Sequence, residues 1–398
     1  MSSSPPDAVV LGGGVIGMSV AWRARERGMS VTVLERDATG QGTSYVAAGM
    51  LAPVAEVEFG AAGRRLLDLG LRSAEMWPAF ASELEAVAGA EVGFMRTGTL
   101  LLARDEDEAR ELERQIAFRE SLGLRAERLR PSEAREREPA LAPTVRLALE
   151  VPEDHSVDPR LVLTALRGAC ESAGVDLREH ARVARIETNG ADTHLTGVRL
   201  ASGEFVAAEQ VVVAAGAWVE QIEGLPAHAR VPVRPVKGQI LRLRDPAGPG
   251  LLGRAVRFQG GYLVPRADGR YVLGATVEER GFELRPTVGG VHELLRDVHE
   301  LVPGVSELEI EELRVGLRPG TPDNLPAIGP GALEGLTWAT GHHRNGILLA
   351  PLTAELVVEV LAGAQPANPL LHACAPARFT TAPDRPCAED VLPRMDVP

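Results

Sequence analysis

Lysine is almost missing from this sequence: Lys237 is the single lysine among 42 Lys and Arg residues in a chain of 398. The other basic positions are arginine, a bias that reads as a GC-rich coding sequence and carries no chemistry of its own. Positive charge is scarce altogether, since 55 acidic residues leave a net charge of −13 and a pI near 5.3. Nucleic-acid binders need a basic face, so nucleic acid is excluded as a partner, and an anionic membrane surface with it. Cysteine occurs three times, at Cys170, Cys374 and Cys387, without a CxxC or any metal-ligand spacing. That pattern fits a reducing cytoplasm. No uncharged apolar run reaches the roughly 18 residues a spanning helix needs, so no membrane segment is expected. The opening "MSSSPPDAVVLGGG" has no charged n-region and no apolar h-region, so no signal peptide is expected either.

What is present is ordinary in bulk, with 45% apolar and 24% charged residues and length enough for two or three domain-sized units. No internal repeat is visible. Residues 8 to 35 read as strand, glycine turn, helix and strand; 61 to 88 as a helix; 98 to 103 as a strand; 105 to 122 as a charged, solvated helix. A helix follows "HSVDPR", then the strands "ARVARIE" and "QVVVAAG". Alternating strands run from "VRPVKGQILRLR" to "RYVLGATVE", with a helix near 288 to 301 behind them. The stretch 341 to 362 reads as one long helix behind a glycine-bearing turn. The Pro- and Ala-rich segment beyond about 366 reads as a poorly ordered end.

The first motif with chemistry is "VVLGGGVIGMSV", which holds G-x-G-x-x-G at Gly12, Gly14 and Gly17. The hexapeptide alone is weak. Here it follows a strand, opens a helix, and has Glu35 at the end of the next strand, 18 residues past Gly17. That is the full dinucleotide fingerprint: the glycines let backbone approach a pyrophosphate at the helix N-terminus, and Glu35 accepts from ribose hydroxyls while repelling a 2′-phosphate. The alternative, a tight βα turn that binds nothing, does not explain this whole context. A simple NAD dehydrogenase continues with further βα units. Instead "GQGTSYVAAGML" (40 to 51) follows, a run of small residues suited to backbone lying along an extended cofactor. No second glycine fingerprint follows a strand, which disfavours a two-nucleotide disulfide reductase.

These stretches, with "HSVDP", "VVVAAGAW", "PVKGQ", "YLVPR", "GLRPGTPDNLPAIG" and "GHHRNGILLAP", occur in an order that resembles the D-amino-acid oxidase superfamily of FAD enzymes, and within it the glycine oxidase family of the thiamine-thiazole pathway. The resemblance covers residues 8 to about 362. It implies an α/β protein with a Rossmann-like FAD-binding domain, discontinuous in sequence, and a substrate domain built on an antiparallel sheet flanked by helices. The expected division is 1–88, 150–225 and 313–366 for the FAD domain, 89–149 and 226–312 for the substrate domain, and 367–398 as a tail. By position FAD falls on Val15, Ile16, Glu35, Arg36, Thr43, Ser44, Ala48, Gly49 and Met50, with Val183 meeting the adenine side through its backbone. Related sarcosine oxidases attach flavin through a cysteine; none lies between Cys170 and Cys374 here, so noncovalent FAD is expected.

At the substrate end, Arg318 sits in a glycine- and proline-bounded segment. A guanidinium there suits a bidentate grip on a carboxylate, or an ion pair with Asp323 or the preceding acidic run "EIEEL". The resemblance favours the grip. Tyr262, one of three tyrosines, is either a second carboxylate contact or a core aromatic, and the resemblance favours the first. Val277 would be an apolar wall. Gly260 and Gly261 offer no polar side chain, and Tyr45 is bulky for its run; both leave the substrate preference open.

The paired His342 and His343 cannot converge on one ion, so no metal is expected; His292 and His299 read as solvated. The resemblance implies that backbone of His342, His343, Arg344, Asn345, Gly346, Ile347 and Leu348 wraps the flavin's pyrimidine end, with Arg344 also beside the substrate. The helix behind them aims its positive end at the flavin. The expectation is thus an FAD oxidase of glycine, sarcosine and small D-amino acids, giving imine or 2-oxo acid and hydrogen peroxide. Its partners are the amino acid and O2; a homo-oligomer is left open. The alternatives are a dehydrogenase that passes electrons to a carrier and, from another class, a nucleotide-binding sensor without turnover.

Overall fold

The computed structural model describes residues 5–363 and 368–379. Strand Ala8–Leu11 is fully buried and pairs in parallel with Val31–Leu34 on one side and Val211–Val213 on the other. Such an unbroken apolar run fits a strand covered on both faces, as parallel sheets require. Asp176–Arg178 extends this sheet in parallel beyond Val31–Leu34. Leu336–Thr340 adds in parallel to Val211–Val213, and Ala327–Pro330 closes the edge antiparallel, making six strands. Helices Val15–Glu26, Pro159–Ala173, Gly60–Ala88 and Ala350–Leu361 pack together over one face through Met18, Trp22, Trp77, Leu166 and Val357.

A second sheet has eight strands in the order Glu309–Gly320, Arg234–Arg244, Arg270–Gly274, Gly261–Pro265, Ala255–Phe258, Thr99–Ala103, Leu147–Val151 and Glu127–Leu129. It is antiparallel except where Ala255–Phe258 runs parallel to Thr99–Ala103. Helix Val288–Leu301 covers one face through Leu294, Val298 and Leu301. The architecture is therefore the expected α/β class, a Rossmann-type sheet beside a mostly antiparallel one. A small three-stranded sheet (Val183–Thr188, Leu195–Leu200, Phe205–Ala207) stands apart from both.

One strand goes unmarked in the sequence, and two readings need correction. That strand holds Arg318: "EIEEL" and "GLRPG" form one element, Glu309–Gly320, paired along its length with Arg234–Arg244. Its first half is largely exposed at the sheet edge, which removes the apolar alternation that marks a strand. The expected boundary at 313 falls inside this strand. Residues 341 to 362 are not one helix, for a single 3₁₀ turn at His343–Asn345 precedes helix Ala350–Leu361. Pro351 stands in the first turn of that helix, where its missing N–H costs nothing. Finally, part of the segment called poorly ordered is built: helix Pro369–Cys374 buries Leu371 and Cys374, and Arg378 donates to Asp323 Oδ2 at 2.8 Å. Residues 380–398, Cys387 among them, lie outside the described residues.

Candidate active site

A cavity of about 460 Å³ is lined by residues of both large sheets. Its nucleotide-like end is made of backbone. Gly12 has φ of 108°, and a Cβ there would come 2.6 Å from the Ala214 carbonyl oxygen. A Cβ at Gly17 would strike the Gly12 carbonyl oxygen, so Gly17 serves the packing of the helix on the turn. At Gly14 a Cβ would meet only Ser44 Oγ, at 3.4 Å, and this glycine borders the cavity. Helix Val15–Glu26 begins there with no cap from Gly14 and no acidic residue in its first turn; Ser44 Oγ accepts the Val15 N–H at 3.2 Å, and the positive end suits an anion. Glu35 accepts from the backbone N–H of Gly13 at 2.7 Å and of Asp37 at 2.9 Å, which fixes its carboxylate at the cavity wall. Beside it the Arg36 guanidinium lies 4.0 Å over the Trp218 ring, and Val183 completes this end.

The small-residue run forms the middle. Thr43–Val46 is a short helix tied to the second sheet by Thr43 Oγ1, which donates to Leu317 O at 2.9 Å. Buried Arg266, from "YLVPR", donates to Ala48 O at 2.6 Å and stands 3.5 Å from Asp158, from "HSVDP". A Cβ at Gly49, where φ is 79°, would strike Val157 O. Three separated motifs thus converge on one strap, whose Thr43, Ser44, Ala48, Gly49 and Met50 line the cavity. Tyr45 is not among the lining residues. Its ring packs under Arg160, 3.8 Å from the guanidinium, so its bulk bears on packing and not on ligand choice.

The other end is made of charged side chains. Arg318 Nη1 donates to Thr276 O at 3.0 Å, and its guanidinium lies against Gly238, where a Cβ would fall 2.6 Å from Nη2. "PVKGQ" therefore needs glycine to seat this arginine. Gly274 does the same for Tyr262, whose hydroxyl would be 2.7 Å from a Cβ. Tyr262 and Arg318 are close enough to perturb each other; burial lowers the arginine's pKa and raises the tyrosine's. The ion-pair alternatives for Arg318 are taken elsewhere: Asp323 by Arg378, Glu311 by Arg244, and Glu312 by Arg160 and Arg314. Val277 lines the mouth and is 72% exposed.

His342 Nε2 is held by Thr353 Oγ1 at 2.9 Å, and burial pushes its pKa down to about 3. His343, at φ 47°, is pushed down to about 4 by burial and then by Arg318 and Arg344. Both rings are neutral at pH 7. Among the described residues no three His, Cys, Asp or Glu side chains form a metal-sized group. His342, His343, Arg344, Gly346 and Ile347 line the cavity, whereas Asn345 and Leu348 do not. Leu348 O instead accepts from Ser73 Oγ at 2.6 Å and Trp77 Nε1 at 2.8 Å, anchoring the cap to helix Gly60–Ala88.

At the substrate end two charged lining residues escaped the sequence reading, Arg257 and Glu56. Arg257 is the cross-strand partner of Tyr262 in the hairpin turning at Gly260, so the two side chains share a face. "RFQGGY" carried that signal, since an even hairpin register puts both on one side. Glu56 continues the small-residue run and lies 2.9 Å from Arg344 and 3.3 Å from Arg257; Arg344 also pairs with Glu58.

A glycine cradle at a helix N-terminus, opening through one cavity onto a buried arginine, defines a dinucleotide-dependent oxidoreductase. The chain belongs to the FAD dependent oxidoreductase family, which matches residues 7–360. It is 36% identical over 357 residues to a glycine oxidase of Geobacillus kaustophilus, covering 89% of this chain and 92% of that one. It is 37% identical to a bifunctional protein ThiO/ThiG of Synechocystis sp. over 96% of this chain, and spans only 55% of that protein's length. The crystal structure of the G. kaustophilus glycine oxidase superposes with a TM-score of 0.84 at 35% identity, covering 91% of this chain and 96% of that one. That of an L-proline dehydrogenase from P. horikoshii gives 0.80 at 25% identity, covering 94% and 97%. Among the described residues no helix is long and apolar enough to cross a membrane.

Proposed function

We propose that this chain is an oxidase of glycine and related small amines, sarcosine and small D-amino acids, that holds FAD noncovalently and works in the cytoplasm. The observation that carries the reading is Arg318: a guanidinium seated on Gly238, with the Tyr262 hydroxyl against it, facing the end of the cavity opposite the glycine cradle. The residues fit FAD in kind. Gly14, Val15 and Ile16 at the helix N-terminus take the pyrophosphate, Glu35 the ribose, the Thr43–Met50 strap the ring system, and His342 to Ile347 its far edge. The six-stranded sheet is then the cofactor domain and the eight-stranded one the substrate domain. Free Cys170 and Cys374 are buried with pKa values pushed up to about 12, so neither is a nucleophile for flavin attachment.

When bound, FAD supplies a two-electron acceptor that O2 regenerates with release of hydrogen peroxide. Arg318 and Tyr262 fix the substrate carboxylate by charge-assisted hydrogen bonds, which orients the Cα–H bond toward the strap side of the cavity. His343 lines the cavity as a neutral ring; the substrate amine gives up its proton to solvent. The imine product hydrolyses to the 2-oxo acid, or passes on to thiazole synthesis in keeping with the ThiO/ThiG relative. The likeness to an L-proline dehydrogenase keeps a second reading, electron transfer to a carrier.

The test is anaerobic mixing of the purified yellow protein with glycine, sarcosine and D-alanine, followed by admission of O2. Flavin bleaching and stoichiometric peroxide are expected, with intact FAD released on heat denaturation. Bleaching without peroxide selects the dehydrogenase, no bleaching the sensor, and flavin that precipitates with the protein refutes noncovalent binding.

A further inference from the structure

Glu56 lines the substrate end with 11% of its side chain exposed, and its two oxygens serve different arginines. Oε1 lies 3.3 Å from Arg257 Nη1, and Oε2 lies 2.9 Å from Arg344 Nε. A ligand carboxylate would bridge two guanidinium groups in the same manner. Among the described residues the buried Nε of Arg257 has no hydrogen-bond partner, and its Nη1 meets the Glu56 carboxylate as an ion pair.

The place of Glu56 is fixed from behind. Asp154 accepts the backbone N–H of Val54 at 3.2 Å and of Ala55 at 2.5 Å. Arg119 donates to the carbonyls of the same two residues, at 3.0 and 2.9 Å. Both side chains are buried. They clamp the two peptide units just before Glu56, which makes its carboxylate a built feature of the wall and not a loose rim charge.

We propose that Glu56 is a specificity-determining residue. It occupies, as a built-in anion, the place between Arg257 and Arg344 where a second acid group of a substrate would bind, and so restricts the site to amines with one carboxylate. The inference rests on Arg318 gripping the first carboxylate. Because Arg257 stands beside Tyr262 in strand register, the excluded substrates are amines with two nearby acids, such as iminodiacetate. Such a molecule meets the Glu56 charge and finds both guanidinium groups engaged; discrimination then comes from repulsion as much as from attraction.

The experiment compares sarcosine with iminodiacetate on the FAD-loaded wild type, Glu56→Gln and the Glu56→Gln/Arg257→Met double variant. Like charges brought together cost enough for an effect of about tenfold or more. The iminodiacetate-to-sarcosine ratio of kcat/KM should rise by at least that factor in Glu56→Gln and fall back in the double variant. An unchanged ratio, or a gain that survives without Arg257, overturns the proposal. Titration of the wild-type flavin spectrum with acetate and malonate needs neither turnover nor the variants. Acetate should bind about tenfold more tightly or better, and equal or tighter malonate binding overturns the proposal. Failure of the wild type to oxidise glycine and sarcosine would instead strike the proposed function, with the acetate and malonate titration still deciding the role of Glu56.

Discussion

The two ends of the cavity are built from different materials. The nucleotide-like end is backbone and dipole, drawn largely from the continuous segment Ala8–Leu34 and the Glu35 carboxylate that follows it. The opposite end is side-chain charge: Arg318, Tyr262, Arg257, Glu56 and Arg344 come from four distant stretches and meet only in the folded chain. Backbone sites tolerate no added bulk, whereas charge sites tolerate reshaping but not the loss of a partner. Substitutions at the two ends should therefore fail in different ways.

The largest effect is expected at the cradle. Gly14→Val adds a branched side chain whose Cβ meets only Ser44 Oγ, at 3.4 Å, and the extended backbone there (φ −80°, ψ −175°) suits valine. The protein should fold, yet the side chain fills the space a pyrophosphate needs, so nearly all of it should purify without FAD. The flavin-to-protein absorbance ratio after gel filtration checks this, with circular dichroism to confirm folding. Near-normal flavin content would mean that the cradle is only a tight turn. Gly17→Val is the contrast: its Cβ strikes the Gly12 carbonyl oxygen, so it should cost folding itself.

The same difference decides what could be read without a structure. Spacing within one βαβ unit is local, so Gly12, Gly14, Gly17 and Glu35 are legible from residues alone, as are the parallel strands that hold them. At the far end local pattern fails. Strand Glu309–Gly320 is an edge strand whose first half faces solvent, and it reads as an acidic run followed by a glycine- and proline-bounded segment. Arg318 was singled out, but a choice between grip and ion pair depends on where Asp323 and the acidic run find partners. Those partners, Arg378, Arg244 and Arg160, lie far off in sequence. Glu56 carries no motif, because it acts through Arg257 and Arg344, some 200 and 290 residues further along. The single long helix expected over 341 to 362 failed for a local reason: an apolar run cannot show where the chain turns, and the cap turns at His343 before the helix starts.

The next effect in size belongs to Arg318. Its alanine variant leaves a substrate carboxylate without its main partner, a loss of typically about 2–5 kcal/mol for such a pair. On glycine, kcat/KM should fall roughly 30- to several-thousand-fold, with FAD content unchanged. Arg318→Lys should recover only part, because an ammonium cannot reproduce the planar fork. An amine without a carboxylate should lose far less rate. Equal losses on both substrates, or loss of flavin, would erase the division between the two ends and make Arg318 a structural residue.

The smallest effect is a stability slope with pH, seated behind the charged end. Asp154 is buried, and burial pushes its carboxyl up to about 7 despite the N–H groups of Val54 and Ala55. In the unfolded chain the same group titrates near 3.9. The folded protein thus binds this proton more tightly than the unfolded one, and the stability it contributes is full below about pH 4 and lost as pH rises through about 7. Asp154→Asn keeps an oxygen that can accept one of the two N–H groups but carries no charge at any pH. Its Tm relative to wild type should therefore climb between pH 4 and pH 8, by at least a few degrees, since each unit of pKa difference is worth about 1.4 kcal/mol and ~1 kcal/mol moves Tm by a few degrees in a chain of this size. Gly14→Val touches no buried ionisable group and should shift Tm equally across that range. A flat difference for Asp154→Asn would mean that Arg119 and Arg257 keep the carboxylate ionised throughout, so that the wall behind Glu56 is held by a permanent ion cluster and not by a protonated acid.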